Sequence, residues 1–181
     1  MLASSGARSA HFQSRIASSN RAGVKGFCKN IVPTGIGFTG LPDMEAMRLY
    51  PPAWAIGRES TQPVKLGGYT FPKGTTILIS PWVLHRDPRY FSEPEAFRPE
   101  RWMGNLAREL PRFAYMPFGG GPRICIGQRF ALIEAILVLT TMAQRFSMVW
   151  QTDRKVMPFP SITLRPNGGV WLKITERRAL H

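Results

Sequence analysis

A glycine-rich loop around a single cysteine is the feature that most restricts how this chain can fold. Residues 118–127 read Phe-Gly-Gly-Gly-Pro-Arg-Ile-Cys-Ile-Gly and lead directly into a long apolar stretch. Three consecutive glycines allow positive φ angles and let the backbone approach a flat ligand closely. A helix that begins near Gly127 points its free N–H groups and the positive end of its dipole at Cys125, which favours the thiolate. The sequence therefore predicts one thiolate presented to a metal.

The residues next to Cys125 fit haem iron better than zinc. A structural zinc site needs about four protein ligands, whereas this loop supplies one thiol, with Arg123 two residues before it. The arginine can pair with an acidic group on the same ligand, and a single thiolate is one of the axial ligands that proteins give to haem iron. The alternative is a buried structural cysteine in a Gly/Pro turn.

This loop resembles the haem-binding signature of the cytochrome P-450 family, the haem-thiolate monooxygenases. Every defined position of that signature is filled: Phe118, Gly119, Gly121, Arg123, Cys125 and Gly127. The resemblance implies haem b as the cofactor and Cys125 as the axial ligand of its iron. It also implies that Arg123 binds a haem propionate, that Phe118 shields the sulfur, and that the glycines allow the haem to approach closely.

A second resemblance to the same family lies in two charged segments. Glu45 and Arg48 are three residues apart, so on a helix they share one face; taken alone they would be a solvent-exposed pair. Pro51-Pro52 follows them, and residues 97–102 read Phe-Arg-Pro-Glu-Arg-Trp. These segments resemble the family's E-x-x-R helix and its proline-arginine segment, which implies a buried structural network of Glu45, Arg48 and Arg101. Trp102 stands where phenylalanine is commoner.

Three further assignments rest on the resemblance. Arg58 is predicted to bind a haem propionate. His85 is predicted to be a structural histidine at a turn and not an iron ligand. A short segment is predicted to line the substrate pocket, with ordinary core packing as the alternative: Ala53, Trp54, Ala55 and Ile56.

The predicted fold is mainly α with small antiparallel β-sheets, as the C-terminal part of the cytochrome P-450 fold. We expect a short helix over residues 43–49 with Asp43 as its cap, short helices and loops over 81–99, and a central buried helix over 128–146. Apolar runs separated by Gly/Pro turns predict strands. These lie at residues 64–66, 69–71 and 76–79 in one sheet, and at 161–164 and 170–174 in a C-terminal hairpin.

The charge of the chain narrows its partners. Among 181 residues the net charge is +13. After residue 40 the basic residues are mixed with all the acids and do not interleave with aromatics in a run, so nucleic acid is not an expected partner. A basic face suits an acidic electron-transfer partner, namely a ferredoxin, flavodoxin or flavin reductase. No apolar stretch approaches the ~18 residues of a membrane span, so no transmembrane anchor is expected.

The first part of the chain differs from the rest. Residues 1–40 contain no acid and are rich in Ser, Gly, Ala, Arg and Lys, which predicts a disordered or non-native basic leader. A mitochondrial transit peptide is the alternative. Residues 41–181 are predicted to be the haem-binding part. Cys28 and Cys125 lie far apart, so we expect no disulfide framework and a reducing, cytoplasmic location.

The resemblance covers residues 41–178 and implies a reaction. In the family, one atom of O2 is inserted into a small apolar substrate with electrons from a redox partner. The family's long distal helix, with its Ala/Gly-Gly-x-Asp/Glu-Thr motif, has no match, so we expect an incomplete fold without the distal helices. The rival hypothesis is a non-catalytic fragment of a truncated gene with weak or no haem binding. A basic nucleic-acid or membrane-surface module is a third class, which the haem loop disfavours.

Overall fold

The structure is a computed structural model that describes residues 40–151 and 156–177. Residues 1–39 of the predicted leader, with Cys28, lie outside the described residues. Helix α1 spans Leu41–Leu49 and begins two residues earlier than predicted. Its N-cap is Gly40, at a φ of 70°, and Asp43 makes no capping hydrogen bond, so the prediction that Asp43 caps the helix is wrong. Pro42 fits the first turn, where no intrahelical N–H is needed.

Four short strands follow in two antiparallel pairs. Strand β2 (Val64–Leu66) pairs with β3 (Tyr69–Phe71) through a turn at Gly67 and Gly68, as predicted. Both glycines have positive φ, which the tight turn requires. Strand β4 (Thr76–Ile79) pairs with β1 (Ile56–Glu59) in a separate sheet. The prediction of a single sheet over β2, β3 and β4 is therefore wrong, because β1 was not recognised as the partner of β4.

The middle of the chain consists of short helices and turns, as predicted. Helix α2 spans Pro81–Leu84, and helix α3 spans Leu106–Glu109. Two 3₁₀ turns occupy Pro99–Trp102 and Gly121–Arg123. The buried apolar side chains come mainly from this region and from α1, and they include Leu49, Phe91, Phe97, Trp102, Ala114 and Met116.

The long helix α4 spans Gln128–Arg145, which confirms the predicted helix. The prediction that this helix is buried is wrong, because one of its apolar faces is exposed. Phe130 is 72% exposed, Ile133 59% and Leu137 62%. Nothing among residues 40–151 and 156–177 covers that apolar face. No helix in the described part of the chain combines the length and the apolar character needed to cross a bilayer.

The C-terminal strands pair differently from the prediction. Strand β6 (Met157–Pro160) pairs with β7 (Leu164–Asn167), and β5 (Phe146–Trp150) pairs with β8 (Leu172–Glu176). The predicted hairpin between residues 161–164 and 170–174 is wrong, because β7 folds back onto β6. Gly168 and Gly169, both at positive φ, then redirect the chain toward β5. Helices and small antiparallel sheets are both present as predicted, although strands occupy nearly as many described residues as α-helices.

Candidate functional site: the cysteine loop and its support

Backbone hydrogen bonds close the cysteine loop. The Cys125 N–H donates to the Phe118 carbonyl at 3.0 Å, and the Gly119 N–H donates to the Met116 carbonyl at 3.0 Å. Gly119 and Gly121 have φ angles of 76° and 72°, a region in which a side chain is strained. The two glycines of the predicted signature are therefore required by the backbone of the loop itself.

Cys125 lies exposed at the surface of this loop. The Gln128 N–H at the start of α4 donates to the Cys125 carbonyl at 3.4 Å, so the thiol lies just before the positive end of that helix. Exposed apolar side chains stand next to it in the chain, with Ile126 fully exposed and Phe130 largely exposed. The alternative of a buried structural cysteine does not agree with this exposure.

A glycine that the sequence analysis did not single out is the most crowded position of the loop. A Cβ on Gly120 would lie 2.6 Å from Cε1 of Phe113, closer than real contacts allow. Phe113 itself has a φ of 70°, which is unusual for an aromatic residue. The Arg112 guanidinium carbon lies 4.8 Å from the centre of the Phe113 ring. The run of three glycines was the signal that could have identified Gly120.

The two arginines predicted to bind propionates are both exposed. Arg58 lies on β1 opposite Ile77, and its Nη1 donates to the Gly57 carbonyl at 2.7 Å. Arg123 ends the 3₁₀ turn before Cys125. Within the described ranges, neither guanidinium takes part in an ion pair. An accessible thiol, a glycine backbone, apolar neighbours and two guanidiniums without acidic partners fit the iron, the ring and the carboxylates of a haem.

The segment predicted to line the substrate pocket is half-buried from Ala53 to Ile56. A Cβ on Gly119 would lie 3.6 Å from Cδ1 of Ile56, so the end of this segment borders the cysteine loop. The indole Nε1–H of Trp54 donates to the Ser161 carbonyl at 2.8 Å. The polar atom of Trp54 is thus bonded to the C-terminal hairpin.

The structure brings the three predicted network residues together around one buried carboxylate. Glu45 is fully buried, and Arg48 and Arg101 donate to it at 2.8–3.0 Å. The Arg98 backbone N–H donates to Oε1 at 2.9 Å and the Trp102 indole donates to Oε2 at 2.8 Å. Burial alone would raise the pKa of Glu45, but the hydrogen bonds and charge of Arg48, with the Arg98 N–H and the charge of Arg101, hold it below the ordinary value.

Arg48 joins α1 to the loops before the cysteine. Its Nη1 donates to the carbonyls of His85 and Pro94 at 2.8 and 2.7 Å, and its Nη2 donates to the Ala96 carbonyl at 3.0 Å. Its guanidinium carbon also lies 5.2 Å from the centre of the Phe91 ring. Arg48 therefore satisfies several backbone acceptors that would be costly to bury without a donor.

His85 is fully buried directly after α2. Its Nε2 accepts a hydrogen bond from the Met116 N–H at 2.9 Å, so it links this turn to the segment that leads into the cysteine loop. Its Nδ1 has no hydrogen-bond partner of good geometry among the described residues. Burial lowers the pKa of His85 to about 4; backbone groups of Arg48 and Met47 oppose this shift, while the charges of Arg48 and Arg86 act in the same direction as burial. These contacts suit the predicted structural role.

Residues 44–172 match the family model for cytochrome P450. The chain is 46% identical over 120 residues to cyclooctatin synthase from Streptomyces melanosporofaciens. It is 39% identical over 134 residues, or 74% of its length, to mouse cytochrome P450 4V2. It is 41% identical over 135 residues, again 74% of its length, to lithocholate 6-beta-hydroxylase from Mesocricetus auratus.

The solved structures agree with this assignment. A cyanobacterial CYP120A1 with bound retinoic acid superimposes with a TM-score of 0.76 and 26% identity, over 90% of this chain and 42% of that one. The chain belongs to the cytochrome P450 family. It spans about a quarter of the length of the curated relatives that it matches, 26–27% of each. This partial coverage fits the predicted C-terminal portion.

Proposed function

We propose that this chain is the haem-binding C-terminal part of a cytochrome P450 monooxygenase, with Cys125 as the axial ligand. The observation that carries the proposal is the exposed thiol in a loop whose glycines adopt positive φ, directly before α4. When bound there, a thiolate-ligated haem b supplies the activation of O2 for insertion of one oxygen atom into a substrate.

The residues of the loop each have one task in this proposal. Cys125 binds the iron through its sulfur, in a loop that leads directly into the N-terminal end of α4. Arg123 and Arg58 bind the two propionates, since both guanidiniums are exposed and lack acidic partners in the described part of the chain. Gly119 and Gly121 would let the backbone approach the ring closely, and Phe118, whose carbonyl accepts the Cys125 N–H, would shield the sulfur.

An acidic electron donor is the partner that fits the surface around the loop. Arg112 is exposed. Its guanidinium lies over the ring of Phe113, which packs against Gly120 of the cysteine loop, so Arg112 lies beside that loop. Arg129, four residues after Cys125 in the chain, is also exposed, so two arginines that the haem does not use lie on the surface near the loop. A ferredoxin, flavodoxin or flavin reductase with an acidic patch would be attracted to that surface in a salt-dependent way.

The proposed substrate is a small apolar molecule. Ile56 borders the cysteine loop and, with the half-buried Ala53 and Ala55 before it, supplies apolar surface for such a molecule. The exposed apolar face of α4 favours weak haem retention and little coupled turnover by the chain alone, because a haem site open to water releases reduced oxygen unproductively. The exposed face of α4 is the one observation that favours the alternative, a non-catalytic fragment.

Haem retention tests the proposal directly. Haem is added to the folded chain, and its transfer to excess apomyoglobin is timed for Arg123→Gln and for Arg129→Gln as a matched surface control. Arg123→Gln should lose haem several-fold faster, which is the effect of losing a charge-assisted hydrogen bond. Equal rates for the two variants would contradict the assigned role of Arg123. With a reductase and NADPH, product formation that is tightly coupled to NADPH consumption would contradict the expected low turnover.

A further inference from the structure

The hairpin of β6 and β7 depends on other parts of the molecule for its position. It has two strands with four residue pairs, from Met157–Asn167 to Pro160–Leu164. A hairpin of two strands is at best marginally stable in water. Its turn, residues 161–163, carries the apolar side chain of Ile162, which is 98% exposed. Contacts from outside the hairpin must therefore hold this turn in one place.

Two hydrogen bonds fasten the two ends of that turn to the segment after α1. The Leu164 N–H donates to the Pro52 carbonyl at 2.8 Å. The Trp54 indole N–H donates to the Ser161 carbonyl, also at 2.8 Å. The first bond uses backbone groups, whereas the second depends on a side chain. Trp54 is thus the residue through which a substitution can release the turn.

Trp54 is itself held firmly, and its segment reaches the cysteine loop. Its carbonyl accepts hydrogen bonds from Ser80 Oγ at 3.0 Å and from the Trp82 N–H at 3.4 Å. Two residues further on, Ile56 lies against Gly119, where a Cβ would be 3.6 Å from the Ile56 Cδ1 atom. The segment from Pro52 to Ile56 therefore connects the hairpin turn to the loop that carries Cys125.

We propose that Trp54 is a positioning residue, which fixes the turn at residues 161–163 relative to the cysteine loop and does not itself contact the substrate. Its polar atom is used on Ser161, and its ring is half-buried. The resemblance predicts direct lining of the substrate pocket for this residue, and the proposal assigns it positioning instead. The relevance of the turn to ligand binding rests on the proposed haem site.

Hydrogen exchange tests, without any haem, whether the bond from Trp54 to Ser161 holds the turn in place. Trp54→Phe removes the N–H donor and keeps an aromatic ring. The Leu164 amide, bonded to the Pro52 carbonyl, should then exchange about five- to tenfold faster, the factor expected from the loss of one hydrogen bond. The Gln151 amide, bonded to the Trp171 carbonyl, should not change. Trp171→Phe is the control, since its indole bonds to the Gly168 carbonyl beyond β7 at 3.0 Å. Unchanged exchange at Leu164 in Trp54→Phe, or equal acceleration in the control, would overturn the proposal.

Ligand binding by the haem-loaded chain separates positioning from direct contact. Imidazole reports the iron alone, whereas 1-phenylimidazole also reports the surrounding walls. Trp54→Phe should change the dissociation constant of 1-phenylimidazole about threefold or more and leave that of imidazole unchanged. In an Ile162→Ala background the same substitution should have a much smaller effect, because the two act through one turn. Additive effects would overturn the positioning role. Failure of every variant to bind imidazole would contradict the proposed haem site. The exchange result would still decide whether Trp54 holds the turn at residues 161–163.

Discussion

The indole of Trp102 donates a 2.8 Å hydrogen bond to the carboxylate of Glu45, across 57 positions of the chain. A phenylalanine, which the resemblance to the family predicts to be commoner at this position, could not make that bond. The carboxylate is fully buried and also receives donors from Arg48, Arg98 and Arg101. Trp102 therefore adds a donor to a charged group that must be completely satisfied in order to be buried.

Trp102→Phe should lower the free energy of unfolding by roughly 1.5–3 kcal/mol, the usual contribution of a hydrogen bond to a charged group. Denaturant unfolding measures it. Because phenylalanine is also smaller, the same substitution is made in a Glu45→Gln background, where the loss should be clearly smaller. An equal loss in both backgrounds would attribute the effect to packing alone.

Glu45→Ala should destabilise the chain by about 3–5 kcal/mol, because Arg48 is left buried without its counter-charge. Soluble yield and the unfolding midpoint measure the loss. Glu100→Ala, an exposed acid in the neighbouring 3₁₀ turn, is the matched control and should stay near wild type. A Glu45→Ala protein that is soluble and retains haem, but prefers a different substrate, would contradict a structural role.

Stability should fall as the pH drops from about 6.5 to about 4. The unfolded chain takes up a proton at His85 near pH 6.5, whereas burial lowers the folded pKa to about 4. The unfolded state therefore binds the extra proton within that window, and the stability present above it is lost, by about 3 kcal/mol at most. The free energy of unfolding, measured at several pH values in this range, should depend less steeply on pH in His85→Gln than in the wild type. The same slope in both proteins would show that another group is responsible.

Gly120→Ala should disrupt the cysteine loop although position 120 is not among the defined signature positions. Its Cβ would lie 2.6 Å from the Phe113 ring, and such overpacking costs about 1–3 kcal/mol. The double variant with Phe113→Gly should recover much of the loss, because it removes the ring and the strained φ. Gly57→Ala, where a Cβ would meet nothing within 4 Å, is the control; no recovery in the double variant would leave the contact with Phe113 unsupported.

Local signals predicted the elements of this fold better than their pairing. The helix at Gln128–Arg145 and the strands at residues 64–66, 69–71 and 76–79 follow from apolar runs and glycine turns. The partners of β4 and β7 did not, because pairing depends on which distant strand is available. Asp43 failed as a cap because Gly40 already starts the helix and Asp43 is buried.

The candidate site was predictable to a similar degree. The loop around Cys125 was recognisable from its own motif, and the meeting of Glu45, Arg48 and Arg101 was predicted by the resemblance to the family. The bond from Trp54 to Ser161 spans 107 positions, and no local pattern indicates it. The contact between Gly120 and Phe113 depends on the positive φ of Phe113. Phenylalanine rarely adopts a positive φ, so the residue type does not predict it. Long-range contacts of single side chains thus remained hidden in the sequence.

The reduced carbon-monoxide spectrum of the haem-loaded chain tests the central claim most directly. The sequence contains two cysteines, which gives a matched pair of variants, Cys125→Ser and Cys28→Ser. Thiolate ligation by Cys125 predicts that the thiolate-type absorption of the carbon-monoxide complex is lost in Cys125→Ser and kept in Cys28→Ser. The same spectrum in both variants, or its loss in Cys28→Ser alone, would contradict the assignment of Cys125 as the haem ligand.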